Sequence, residues 1–181
     1  MNKIGQIVEI PASSSIYNPK VPTFSTIEEE VIWKTNRYDY NLFDGILIGG
    51  HHGLDEFKYG QRKGINVGGQ EKPLYVIGKN FNDNQLFVGA GKDHPGLWPT
   101  IFKFDEGAFH WMSDTFKSLV IDQSSLSVEI KNHALGEDSY KALLWLLNEK
   151  LYIQFNHKVK IDIKNHPLQI YHTNKLIIET L

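Results

Sequence analysis

The stretch GQRKGINVGG, Gly60 to Gly69, sets glycines around Arg62 and Lys63 with no acid among them. Glycine lets a backbone come close to a ligand, and a guanidinium fork beside an ammonium is chemistry that grips phosphate oxygens. One reading is a loop that offers backbone amides and the side chains of Gln61, Arg62 and Lys63 to RNA phosphate. The other is a structural hinge, with Gly60 and Gly64 in left-handed turn conformations and the cations solvated. Arg62 is one of two arginines in the chain, the other being Arg37.

No other constellation is self-contained. His51-His52 and Asp93-His94 invite a metal hypothesis, but no HxxxH pair occurs, and adjacent histidines on an extended segment point to opposite sides. No metal site is expected. Ser13 to Ser15 lack the glycines of a GxSxG elbow, and neither GxxxxGK[ST] nor GxGxxG occurs between a strand and a helix. The carboxylate pairs Asp105-Glu106 and Glu137-Asp138 read as solvated turn residues. The chain has no cysteine, which excludes disulfides, thiolate metal sites and cysteine nucleophiles within it. No catalytic residue and no cofactor is assigned.

The 181 residues are 41% hydrophobic and 12% aromatic, enough to bury a core. No apolar run approaches bilayer length, and the start MNKIGQIVEIPASSSIY lacks the apolar centre of a signal peptide, so a cytoplasmic location is expected, with no membrane partner. A net charge of −2 argues against a surface wrapped by nucleic acid. From Ser139 onward six lysines face three acids, but Lys158, Lys160 and Lys164 alternate with apolar residues as on the solvated face of a strand.

The elements that must position the loop are mostly strands. PLYVIGKNFNDNQLFVGAG reads as a hairpin turning at Asn80 to Asn84, and SLSVEI, KLYIQF and VKIDI alternate with period two. HPLQIYHTNKLIIETL adds two short strands around Thr173-Asn174. STIEEEVIWK predicts a short helix, because Ser25 stands three residues before Glu28 and acids crowd the first turn. YKALLWLLNEK fits a helix or a buried strand turning at Asn148-Glu149. PASSSIYNPKVPTFS reads as a surface loop.

From Asp44 to Trp98 the sequence resembles the region joining the central and C-terminal domains of bacterial tRNA-specific 2-thiouridylases of the MnmA type. An HxG step (His51, Gly53) precedes an aromatic segment (Phe57, Tyr59), GQRKG (Gly60 to Gly64), a glycine link (Gly68-Gly69), a P-x-Y-V strand (Pro73 to Val76) and a G-x-D-H-P turn (Gly91 to Pro95). ALLWLLNEKLYIQF is similar to the family's final hairpin, which favours strands there, and IYHTNKLI resembles its closing strands. The resemblance implies a mainly β protein: a small central domain with an inserted loop and one short helix over 1–69, then a C-terminal antiparallel β-barrel over 73–181, with a boundary near Gln70 to Lys72. It also implies tRNA contact through Gln61, Arg62, Lys63 and Gly64, with Lys58 and His51 beside them; His51 and His94 otherwise read as turn or packing residues.

Family activity is tRNA-uridine 2-sulfur transfer by an ATP-pyrophosphatase domain with an SGGxDS-type loop and two sulfur-handling cysteines, and none of these motifs lies in the 181 residues. The expected function is thus a non-catalytic tRNA-binding or accessory module, one piece of a split wobble-uridine thiolation enzyme with a PP-loop partner protein. The barrel strand where the family tends to place an Arg-Tyr-Arg cluster reads EIKNHALGE, and the segment between GQIVEI and Asp44 is longer than the family's short turn. A second expectation is a β-barrel protein-interaction module that no longer binds RNA, using the aromatic-rich insertion Pro11 to Phe43.

Overall fold

Short runs of branched and aromatic residues punctuated by Gly, Asn and Asp favour strands over helices, and a computed structural model, describing residues 4–132 and 139–181, is mainly β. The chain divides into two units: the residues up to Pro99 with Lys160–Asp162, and Thr100–Val159 with Ile163–Leu181.

In the first unit β1 (Gly5–Glu9), β2 (Ile46–His51), β3 (Leu74–Asn80) and β4 (Gln85–Ala90) form one sheet in the order β2-β1-β4-β3. β1 runs antiparallel to β2 and parallel to β4, while β3 and β4 make the expected hairpin. Period-two alternation sends Ile7, Leu86, Val88, Leu74 and Val76 to one face, where Leu54, Phe57 and Ile65 from the β2–β3 connection close over them. Burying each such side chain contributes about 1.5–3 kcal/mol.

The opposite face carries Phe87, and the ring of Tyr40 packs on it at 5.5 Å. The Tyr17 and Tyr40 hydroxyls lie 2.9 Å apart, which ties the insertion 11–43 down at both its start and its end. Within it α1 (Ile27–Asn36) forms as expected, but capped one residue later than Ser25. The Thr26 hydroxyl accepts from the Glu29 amide at 3.2 Å, and the Glu29 carboxylate accepts from the Ser25 amide at 2.8 Å. Two adjacent Ser/Thr residues followed by three glutamates leave the register of the cap undetermined by sequence.

In the second unit β5 (Ile101–Phe104), β6 (Phe109–Trp111), β7 (Leu126–Lys131), β8 (Tyr140–Leu147), β9 (Lys150–Phe155), β10 (Gln169–His172) and β11 (Lys175–Thr180) are paired antiparallel in the order β5-β9-β8-β7-β10-β11-β6. The sheet curls into a nearly closed barrel. YKALLWLLNEK is strand β8 and its turn: Asn148 and Glu149 have φ of 50° and 63°, and Thr173 and Asn174 between β10 and β11 have 46° and 63°. Paired left-handed residues match the right-handed twist of the strands they join.

Three expectations change. The sheet order puts the hairpin β3–β4 beside β1, so the division falls at Pro99/Thr100 rather than near Gln70 to Lys72. VKIDI is no strand: Ile161–Asn165 is a 3-10 helix burying Ile161 and Ile163, with the Lys160 ammonium 2.5 Å from Asp162. Alternation over five residues is too short to separate these outcomes. A second helix, α2 (Asp114–Asp122), stands where none was expected; its Ser113 makes no side-chain cap and only Val120 is buried, so its sequence signal is faint.

Candidate nucleic-acid interface

The β2–β3 connection is pinned rather than loose. Leu54, Phe57 and Ile65 bury it from below, the Gly60 amide donates to the Val76 carbonyl at 2.8 Å, and the Val76 amide donates back to the Gln61 carbonyl at 3.0 Å. Gly60 and Gly64 have φ of 74° and 83°, the left-handed turn conformations expected of them. Side chains other than glycine enter that region at a cost of about 1–2 kcal/mol.

Gln61 has a task inside the loop. Its Oε1 accepts from the Lys58 amide at 2.8 Å and its Nε2 donates to the Lys63 carbonyl at 2.8 Å. Both ends of the amide are used inside the loop, so Gln61 braces the curve that lifts Arg62 and Lys63 outward. Lys58, Arg62, Lys63 and Gly64 are exposed. Arg62 and Lys72, with Glu71 also in the lining, border a shallow cleft of about 400 Å³ that also touches Ile65 and Leu74. The other arginine, Arg37, is half-buried against the Trp33 and Tyr38 rings at 5.2 and 5.9 Å, so Arg62 is the one exposed guanidinium.

His51 does not join this surface. It is 3% exposed, its ring meets Phe57 edge-on at 5.7 Å, and its Nε2 lies 3.3 Å from the Asn84 carbonyl. It ends β2 on the covered side of the sheet, while His52 is exposed. This burial accords with the packing role that the sequence offered for His51 beside RNA contact. His94 is also a packing residue: the Gly96 amide donates to its Nδ1 at 3.1 Å and Nε2 faces the Ile10 carbonyl at 2.9 Å. Burial lowers its pKa below the usual histidine value, against a smaller opposing effect of the Ile10 hydrogen bond.

Asp105 sits in the β5–β6 turn and meets the Lys150 ammonium at 2.8 Å, a hydrogen bond that holds its carboxyl below the usual aspartate value. Glu137-Asp138 and the whole of the HALGE segment, 133–137, lie outside the described residues. Among the described residues no group of three His, Asp or Glu is placed to hold a metal ion, and no helix is long and apolar enough to cross a membrane.

Sequence reasoning missed a cluster beside the loop. The Lys79 ammonium stands 5.1 Å from the Tyr59 ring centre and 5.7 Å from that of Phe81, which is 61% exposed. Lys79 lies near the end of β3 and Phe81 opens the turn after it, so the pair is brought together by the turn rather than by strand alternation.

Residues 30–90 match the family described as tRNA methyl transferase PRC-barrel domain. The chain is 35% identical over 121 residues to the tRNA-specific 2-thiouridylase MnmA of Christiangramia forsetii, covering 67% of this chain and 30% of that protein. It is 28% identical over 175 residues to the MnmA of Flavobacterium johnsoniae, covering 97% of this chain and 44% of that one. Against the MnmA of Halalkalibacterium halodurans it is 49% identical over 60 residues, covering 33% and 16%. The chain spans less than half the length of these relatives. It is thus a relative of the MnmA-type tRNA-specific 2-thiouridylases, matching the central and C-terminal part of those proteins.

Proposed function

We propose that these residues form a non-catalytic, tRNA-binding module of a cytoplasmic wobble-uridine thiolation system, with the loop 58–64 as its phosphate-binding element. The observation that carries this reading is the braced loop: two left-handed glycines, the Gln61 amide and the paired backbone of Val76 fix Arg62 and Lys63 outward, beside Lys58, before any ligand arrives. Preorganised cations lose less entropy on binding than cations on a free chain. Sulfur transfer through a persulfide needs a cysteine, and the 181 residues have none, so on this reading the ATP and sulfur chemistry comes from outside these residues, from a PP-loop ATP-pyrophosphatase.

Binding of the protein to bulk tRNA across a salt series tests this. Wild type is expected to bind at micromolar levels or tighter at low salt, and Arg62→Ala/Lys63→Ala to bind more weakly with a salt slope reduced by about 1 per cation removed. Absence of binding by the folded wild type at low salt removes RNA from this surface.

One observation favours a second reading, a protein-interaction module. Phe43 is 94% exposed at the end of the insertion, next to Ile46 and Leu47 of the edge strand β2 at 60% and 55%. Recovery of a defined protein after nuclease treatment, lost in Phe43→Ser/Leu47→Ser, supports it; recovery of RNA alone sinks it.

A further inference from the structure

We propose that Phe81, beside the Lys79 ammonium and Tyr59, is a stacking platform for an unpaired base of the RNA. This rests on the reading of the 58–64 loop as the phosphate-binding element, and it names the part of the RNA that this surface takes.

Phe81 is not a ring adrift on a mobile tip. It opens the turn 81–84, which the Asn80 carboxamide closes from within by accepting the Asp83 amide at 3.1 Å and donating to the Asp83 carboxylate at 2.9 Å. From outside, the Asn84 carbonyl accepts from the Gln6 amide at 3.0 Å and faces His51 Nε2 at 3.3 Å. The buried histidine that was expected to touch RNA thus helps to anchor the turn that presents this ring. A ring on a fixed mount that remains 61% exposed is suited to accept a flat partner at little ordering cost.

The charge beside the ring selects the partner. Lys79 Nζ lies within cation–π reach of both Tyr59 and Phe81, and burial pushes its pKa down against the opposing field of Asp55. Tyr59 immediately precedes Gly60, so this cluster continues into the loop that lifts Arg62 and Lys63. Alternating cations and an open aromatic face match a single-stranded nucleotide, in which a π surface and an anion repeat in turn. A duplex, with its bases paired and stacked, offers the phosphates without the open π face.

The test compares wild type, Phe81→Ala, Phe81→Trp and Arg62→Ala/Lys63→Ala on two probes, a short single-stranded oligouridine and a blunt RNA duplex. Phe81→Ala is expected to weaken oligouridine binding by between about 5-fold and about 150-fold, the worth of one base–aromatic stack, with an unchanged salt slope. Phe81→Trp restores it, and duplex binding is unaffected by either change. Equal oligouridine binding by wild type and Phe81→Ala, while the double mutant is weaker on both probes, overturns the stacking platform and leaves the loop reading intact. An equal loss on both probes in Phe81→Ala also overturns it, because the ring would then not be reading an open base. If wild type binds neither probe at low salt, both readings fall.

Discussion

His94 Nε2 lies 2.9 Å from the carbonyl oxygen of Ile10, while the other ring nitrogen of His94 accepts the Gly96 amide at 3.1 Å. A carbonyl can only accept and an amide can only donate, so the ring is neutral with its proton on Nε2. Protonating Nδ1 would break the Gly96 bond and place a charge among buried groups. The folded pKa is accordingly depressed below 6.5. The unfolded chain binds the extra proton first, so this contribution to stability is present above about pH 6.5 and is lost as pH falls through the folded pKa. Urea denaturation from pH 7.5 to pH 5 is expected to show falling stability for wild type and a flatter profile for His94→Gln; parallel profiles would refute the assignment.

The same ring explains a glycine. A Cβ on Gly89 would stand 2.5 Å from His94 Cγ, and that ring cannot retreat because both its nitrogens are engaged. Gly89→Ala is expected to cost about 1–3 kcal/mol, as overpacking does in a close-packed interior. In the variant His94→Ala the same change should be tolerated better, and a double-mutant cycle by chemical denaturation measures that coupling.

Gln61→Ala separates the brace from a phosphate contact. Two hydrogen bonds inside the loop are lost, each worth about 0.5–1.5 kcal/mol, while no charge is removed. Amide hydrogen exchange is expected to speed up at Lys58, whose amide loses its Gln61 acceptor. If the loop binds tRNA, affinity falls with the salt slope unchanged, whereas Arg62→Ala lowers both.

Much of this was legible in the sequence where a local rule decides the outcome. The glycines at 60 and 64, the turns at Asn148-Glu149 and Thr173-Asn174, and the β3–β4 hairpin follow from which residues tolerate left-handed backbone and from strand alternation. What escaped depends on contacts far apart in sequence. The parallel pairing of β1 with β4 decides the unit to which the hairpin belongs, and no short-range pattern encodes it. Burial of His51, whose Nε2 faces the Asn84 carbonyl, is likewise a tertiary fact, whereas the capture of the Gln61 amide by Lys58 and Lys63 is local but follows no standard motif. Charge was more legible: Lys58, Arg62 and Lys63 are exposed, as lysine and arginine ordinarily are.

Asn132, just after β7, supplies the sharpest stability test in the second unit. It is 6% exposed, and its Nδ2 donates toward the carbonyls of Ile163, His166 and Pro167 at 3.4, 3.2 and 3.1 Å. A side-chain amide there stitches the segment after the 3-10 helix onto the barrel strand, and only a donor can do so. Asn132→Ala leaves those carbonyls without that donor and is expected to cost about 1–3 kcal/mol. Asn132→Asp is expected to be worse near neutral pH, because a carboxylate replaces two donor hydrogens with an anion aimed at three carbonyl oxygens. Protonation would relieve part of that repulsion, so the folded carboxyl of the variant would titrate above the ordinary aspartate value and its deficit would shrink as pH falls toward 4. Thermal denaturation of the two variants at pH 7 and at pH 4.5 checks the order. Equal destabilisation of both at both pH values would mean that the amide is not the group holding the segment.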